Sequence, residues 1–250
     1  MTPHGYLINV LNKQKLQDSD LTPLQNARED IERKLRQYIG WSPRFYYGGS
    51  YGKRTMIKAS YDLDIAAYFP MDDGRPIRDI YNLVHQALLN SGFLVHPKTV
   101  ALNIPYSNHG FYIDVVPARA RDLECRDATL YKNGHDSYMK TSLKVHIESV
   151  RPYREIIKLM KLWKVRHGIS CKTFVIEQLV RRAIGNQLIT DYSDAMKRVL
   201  EFIANNIKIV RLVDPANSNN IIDLEGSTRN ILQAKASISI QQRYWEYIVW

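Results

Sequence analysis

Three carboxylates in the first half of the chain have the types and spacing for metal-assisted phosphoryl transfer. Asp62 and Asp64 stand two apart in Tyr-Asp-Leu-Asp-Ile-Ala-Ala-Tyr-Phe (61–69), which alternates like a strand, so both side chains leave one face. Leu63, Ile65, Ala67 and Phe69 take the opposite face, which suits a core. Asp114 sits in Phe-Tyr-Ile-Asp-Val-Val-Pro (111–117), where Ile113 and Val115 again point the other way. If the two strands are neighbours, three carboxylates meet on one face and repel one another. Hard oxygen ligands suit Mg²⁺, with Mn²⁺ as the alternative, and two such ions ~3.5–4 Å apart clamp the attacking and leaving oxygens of a phosphoryl transfer. Asp-x-Asp alone is a weak signal. The same pattern recurs at Asp18-Ser19-Asp20, between two helical segments, where it reads as a loop and cap.

A second feature lies just upstream. Arg44–Tyr47 reads as a short strand ending in Gly48-Gly49-Ser50. Two glycines let backbone approach a ligand, and Ser50 is suited to start a helix whose free N–H groups would face a phosphate. Lys53 and Arg54 follow at once. Alone, this is an ordinary strand–turn–helix corner. Together with an Asp-x-Asp that follows Ser50 after eleven intervening residues and a third Asp on a later strand, it is far more specific.

The elements that must position these groups follow from periodicity. Thr22-Pro23 reads as an N-cap and first helical residue, followed by Leu24, Ala27, Ile31, Leu35 and Ile39 at helical spacing. Residues 76–90 read as a helix and 93–117 as strands. Residues 119–141 are turn-rich and strand-bearing. From 142 the pattern is mainly helical, with a last helix from about 227 to the end. The fold class is therefore α+β, with residues 1–141 as a sheet lobe carrying the N-terminal helices and 142–250 as a helical lobe. In the second half, Arg154, Lys158 and Lys161 form a basic stripe ~10 Å long on one helix face. Without context that stripe is a solvated helix edge.

Composition sets outer bounds. The net charge of +10 over 250 residues favours an anionic partner, and 45% apolar residues exclude low-complexity disorder. Cys125 and Cys171 are too few for a disulfide framework or a four-cysteine zinc site and read as small core residues of a protein from a reducing compartment. His4, His85, His96, His109, His135, His146 and His167 show no metal-ligating spacing. Neither a signal peptide after Met1 nor an uninterrupted membrane-spanning run is expected.

Gly49-Ser50, eleven residues, then Asp62-Leu63-Asp64-Ile65 resembles the signature of the DNA polymerase β-like nucleotidyltransferases. The string from Gly48 to Asp64 is similar to the branch holding oligoadenylate synthases, cyclic GMP-AMP synthase and bacterial CD-NTases, with Arg54-Thr55 where that branch has Gly-Thr. Lys161-Leu-Trp163 resembles the family's Lys-x-Trp, and Thr173-Phe174 the segment where a hydroxyl and an aromatic approach the nucleotide; Phe174 also suits a core. His146-Ile-Glu lies in a stretch, 141–150, that looks like the CD-NTase connection into the helical lobe. Val213-Asp214-Pro-Ala-Asn217 resembles a late family motif, although Asp214 and Asn217 read first as turn formers.

The resemblance implies a polymerase β-like sheet lobe, a helical lobe and a cleft between them. It implies roles too: Gly49, Ser50, Lys161 and Thr173 contact the nucleotide, Asp62 and Asp64 bind both metals, and Asp114 helps activate the acceptor hydroxyl. The implied activity is a cytoplasmic, template-independent nucleotidyltransferase acting on ATP or GTP. Its product would be a cyclic or linear oligonucleotide second messenger of anti-phage defence, with an RNA or other activator and a downstream effector. Three alternatives stand beside it: an RNA-extending enzyme similar to archaeal CCA-adding enzymes, a toxin-type transferase, and a non-catalytic nucleic-acid sensor. The positive charge suits RNA, but 250 residues leave little room for the domains that measure tRNA.

Overall fold

The computed structural model describes residues 1–106 and 110–250; His109 lies outside them. Helices α1 (Pro3–Lys13) and α2 (Asp18–Ile39) open the chain. The second begins a turn before Thr22-Pro23, because Gln17 and Asp20 form a capping box in which the Gln17 N–H donates to the Asp20 carboxylate at 2.9 Å. Asp18-Ser19-Asp20 is thus the first helical turn and not a loop.

Strand β1 (Arg44–Tyr47) leads through Gly48 into the short helix α3 (Gly49–Lys53), then to β2 (Leu63–Phe69) and α4 (Ile77–Asn90). Five further strands complete the sheet: β3 (His96–Pro97), β4 (Leu102–Tyr106), β5 (Phe111–Ala120), β6 (Asp127–Lys132) and β7 (Ser137–Ser142). The order is β1-β2-β5-β4-β3, with β6 and β7 continuing from the far end of β5. Only β2 and β5 run parallel among these pairs, and their register sets Leu63 against Ile113, Asp64 against Asp114 and Ile65 against Val115. Register partners share a face. One face therefore carries Leu63, Ile65, Ile113 and Val115, packed with Leu24, Ile31 and Leu35 of α2 and Ile80, Val84 and Leu88 of α4. The other face carries the carboxylates.

The seven-stranded sheet ends at Ser142, whose hydroxyl caps α5 (Leu143–Val150) by accepting from the Val145 N–H. A 3₁₀ turn (Arg151–Tyr153) joins it to α6 (Arg154–Arg166), followed by α7 (Thr173–Ile184) and α8 (Tyr192–Asn206). A small hairpin, β8 (Val213–Asp214) and β9 (Asn217–Ile221), precedes α9 (Gly226–Ile240). These helices share one core around Trp163, Leu179 and Leu200. Two expectations are corrected. Helix α1 belongs to this second core, through Leu7 and Val10, and not to the sheet lobe. The last helix ends at Ile240, and the chain folds back so that Trp245, Ile248 and Val249 are buried, with the Tyr6 hydroxyl donating to the Val249 carbonyl at 3.0 Å. Among the described residues, no helix is long and apolar enough to cross a membrane.

Candidate active site

A cavity of about 650 Å³ opens between the sheet's second face and the helical lobe. Asp62, Asp64 and Asp114 all line it, as do Gly49, Ser50, Lys161 and Thr173. Asp64 and Asp114 are register partners on adjacent parallel strands, which places their backbones about 4.8 Å apart. Asp62 stands two residues earlier, just outside β2. Desolvation, with Asp62 and Asp114 beside it, pushes Asp64 up to about 7 against the pull of Lys53 and Lys98.

The glycine corner is built around that carboxylate. Gly48 donates its N–H to the Asp64 carbonyl at 2.8 Å. Gly49 has φ +46°, and a Cβ there would lie 1.6 Å from Asp64 Oδ2. Position 49 is therefore glycine for two reasons: its backbone conformation and the carboxylate that fills the side-chain space. Gly48, not Ser50, is the N-cap of α3; Ser50 is its second residue. The Ser50 hydroxyl is buried, lines the cavity and has no hydrogen-bond partner among the described residues. A buried hydroxyl left without a partner is costly, and an anionic ligand in the cavity would satisfy it.

Asp114 is already engaged. Lys98 Nζ lies 2.9 and 2.8 Å from its two oxygens, and the Asn103 amide donates to Oδ1 at 2.7 Å. Among the described residues, no three carboxylate, imidazole or thiolate side chains stand grouped as a ready-made ion site. The donor set nevertheless fits a hard divalent cation: three carboxylates on one wall, with Asp64 destabilised as an anion by its neighbours. Tyr112, two before Asp114 on the same face of β5, has its phenol raised by burial first and then by its hydrogen bond to Asp62.

Positive charge lies beneath the corner. Lys53 Nζ meets Glu177 Oε2 at 2.7 Å, with side chains 8% and 2% exposed, so this ion pair joins α3 to α7 inside the protein. Lys161 is buried, and its ammonium donates to the Thr55 carbonyl at 2.9 Å. Burial lowers Lys161 to about 8, although Asp62 and Glu177 pull it upward. Arg154 Nε donates to the Lys53 carbonyl at 2.8 Å, while Lys158 pairs with Glu155. Two of the three cations of the α6 stripe, Arg154 and Lys161, thus grip the backbone at and just beyond the end of α3, where carbonyls of a short helix need partners. The stripe is neither a solvated edge nor a row of cations reaching into open space.

Across the cavity, Thr173 is the first residue of α7 and Phe174 is half-buried at the wall, not in a core. Phe174 lies 5.2 Å from the His146 ring and from Lys53 Nζ. His146 Nε2 and Asp214 Oδ1 are 2.7 Å apart. Burial would raise Asp214, but His146, the Ala216 N–H and Asn220 together hold it below the usual carboxylate range. Asp214 and Asn217 do form the turn expected of them, accepting from Ala216 and Asn219, and Asp214 also reaches the cavity. Both cysteines are partly buried against the hydrophobic cores; Cys171 also lines the cavity, and burial raises its thiol.

The sequence reading passed over Lys98, Asn103, Tyr112 and the Lys53–Glu177 pair. Strand alternation would have put Tyr112 beside Asp114. The others depend on contacts between separate elements and leave no local pattern.

No sequence-family model matches the chain. A cyclic AMP-AMP-AMP synthase of Escherichia coli (strain MS 115-1) is 21% identical over 208 residues, covering 73% of this chain. The match spans 65% of that protein's length. The structure of Vibrio cholerae DncV cyclic AMP-GMP synthase, in complex with the linear intermediate 5′ pppA(3′,5′)pG, superposes with a TM-score of 0.80 at 14% identity, covering 98% of this chain and 94% of that one. The Elizabethkingia meningoseptica CdnE cyclic dinucleotide synthase, with GTP and Apcpp, gives 0.70 at 19% identity and covers both chains fully (100% and 100%). The chain therefore has the fold of these solved structures, the polymerase β-like nucleotidyltransferase fold of the CD-NTases, which its sequence resembles.

Proposed function

We propose that the protein is a template-independent nucleotidyltransferase that joins nucleoside triphosphates, ATP or GTP among them, with release of pyrophosphate. Its product on this reading is a cyclic or linear oligonucleotide second messenger. The observation that carries the proposal is the in-register pairing of Asp64 with Asp114 against a glycine whose missing side chain leaves room for the Asp64 carboxylate. The synthases that match in sequence and fold support the product class.

Asp62 and Asp64, with Asp114, would hold Mg²⁺ or Mn²⁺, which when bound would supply Lewis-acid charge at the α-phosphate. The chain's own groups do the rest. The Ser50 hydroxyl and the backbone of α3 receive the triphosphate, and Lys161, held by a neutral carbonyl, sets a positive field beneath it. Thr173 and Phe174 orient the nucleotide from the opposite wall. The acceptor ribose oxygen bonds to the α-phosphorus as the bond from that phosphorus to the bridging oxygen breaks. The bonding electrons leave with pyrophosphate, and Asp114 assists departure of the hydroxyl proton. The setting we assign is the cytoplasm, in an anti-phage signalling system with an RNA or other activator and a downstream effector.

The test is mass spectrometry of phosphatase-treated reactions containing all four NTPs and Mg²⁺. We expect a phosphatase-resistant linked nucleotide from the wild type and none from Asp62→Asn/Asp64→Asn with an unchanged melting curve. Turnover by that well-folded double variant would overturn the reading. The net charge of +10 supports a second reading, extension of an RNA end. Label appearing only in a tRNA-containing reaction would decide for it.

A further inference from the structure

Lys98 is placed by its backbone, in the turn between β3 and β4. Its N–H donates to the Ala101 carbonyl at 2.8 Å, and its carbonyl accepts from the Tyr81 hydroxyl at 3.0 Å. The side chain is 45% exposed, yet its ammonium meets both oxygens of Asp114 and lies 4.7 Å from the centre of the Tyr112 ring. Asn103, the register partner of Asp114 on β4, donates to Oδ1 alone. Of the two adjacent carboxylates, Asp114 is therefore neutralised and Asp64 is not.

An ammonium that holds both oxygens of Asp114 repels a divalent ion at the same carboxylate and competes with it for lone pairs, two of which on Oδ1 already accept from Lys98 and Asn103. Removal of Lys98 would leave Asp114 aimed by Asn103, with Oδ2 open to the cavity. The lysine stem is flexible and its side chain half-exposed, so the head has solvent to move into. We propose that Lys98 is the built-in counter-cation of Asp114, a positioning residue that competes with a metal ion for this carboxylate, and so sets the divalent-ion concentration at which the site fills. The inference deepens the functional reading above and rests on its metal site. A half-exposed ion pair is worth up to about fivefold in a competing equilibrium, so Lys98 tunes metal binding and does not block it.

The experiment is thermal melting of the nucleotide-free protein across a MnCl₂ series starting from EDTA, at constant ionic strength. The wild-type melting temperature should rise to saturation, and Asp64→Asn should abolish the rise. Lys98→Met should melt lower than wild type in EDTA and reach half-saturation at about one fifth of the wild-type Mn²⁺ concentration. Lys98→Gln should behave like Lys98→Met, and Lys98→Arg should keep the wild-type midpoint. A rise that survives Asp64→Asn would overturn the metal-site reading and this proposal with it. An Asp64-dependent rise with unchanged midpoints in Lys98→Met and Lys98→Gln would overturn the proposal alone, as would an equal shift in Lys98→Arg.

Discussion

Replacing Gly49 with alanine separates the catalytic geometry from the stability of the fold. The new Cβ would stand 1.6 Å from Asp64 Oδ2 and 2.4 Å from Cγ, where ordinary contact begins at 3.4 Å. The carboxylate must retreat by about 1.8 Å. Strand β2 cannot move with it, because Leu63 and Ile65 on either side are fully buried in the sheet-lobe core. The side chain therefore has to rotate away from Asp114. Misplacement of a reacting group by about 1 Å costs on the order of 100-fold in rate. The left-handed backbone at φ +46° adds roughly 1–2 kcal/mol of strain for any L-residue. Gly49→Ala should thus lose at least about 100-fold in pyrophosphate release while its melting temperature falls by only ~2–8 °C. Gly48→Ala is the control. Its φ of −102° suits alanine, and its Cβ would lie 3.3 Å from Asp64 Cβ, so a shift of a few tenths of an ångström suffices. Its turnover should stay within about fivefold of wild type. Turnover by Gly49→Ala within threefold of wild type, or equal losses in the two variants, would refute the argument that Gly49 exists to seat Asp64.

Lys53→Met and Glu177→Gln each break a buried ion pair and should cost ~3–5 kcal/mol in urea unfolding, whereas Lys53→Met/Glu177→Leu, which removes both charges, should recover most of that loss. Lys161 has its pKa depressed in the folded protein, so the unfolded chain binds more protons between about 8 and the ordinary lysine value. Its contribution to stability is unfavourable below pH 8 and improves as pH rises toward 10.5; Lys161→Met should remove that rise from the difference between its pH–stability curve and that of the wild type. Asp214→Ala should lower stability by about 2 kcal/mol, because it frees His146 and the Ala216 N–H together, while Asp214→Asn, which keeps an acceptor for Ala216, should cost less. Equal losses in the two Asp214 variants would assign the effect to packing and not to those hydrogen bonds.

The legible part of this molecule is what repeats locally. Alternation along 61–69 and 111–117 separated core from carboxylate faces, because a strand assigns successive side chains to opposite sides. It could not say that Asp64 and Asp114, fifty residues apart, would be register partners; that needs α4 to cross the sheet and return the chain beside β2. Helix caps misled where a side chain outside the periodic stretch did the capping, as with Gln17 and Asp20. Lys53 with Glu177, which joins the two lobes, and His146 with Asp214, within the second, carry no spacing rule at all. Lys161 shows how a motif can point to the right wall of a cavity without revealing what the side chain does there. Its position faces the cleft, but its ammonium is held by a backbone carbonyl, and Arg154 from the same helix holds another two residues earlier. A five-residue helix cannot satisfy its own terminal carbonyls, and cations supplied by α6 do so. The positive charge that fixes the glycine corner in place is therefore the same charge that would favour a triphosphate above it, so the rigidity of the corner and its electrostatics cannot be varied independently by substituting these residues.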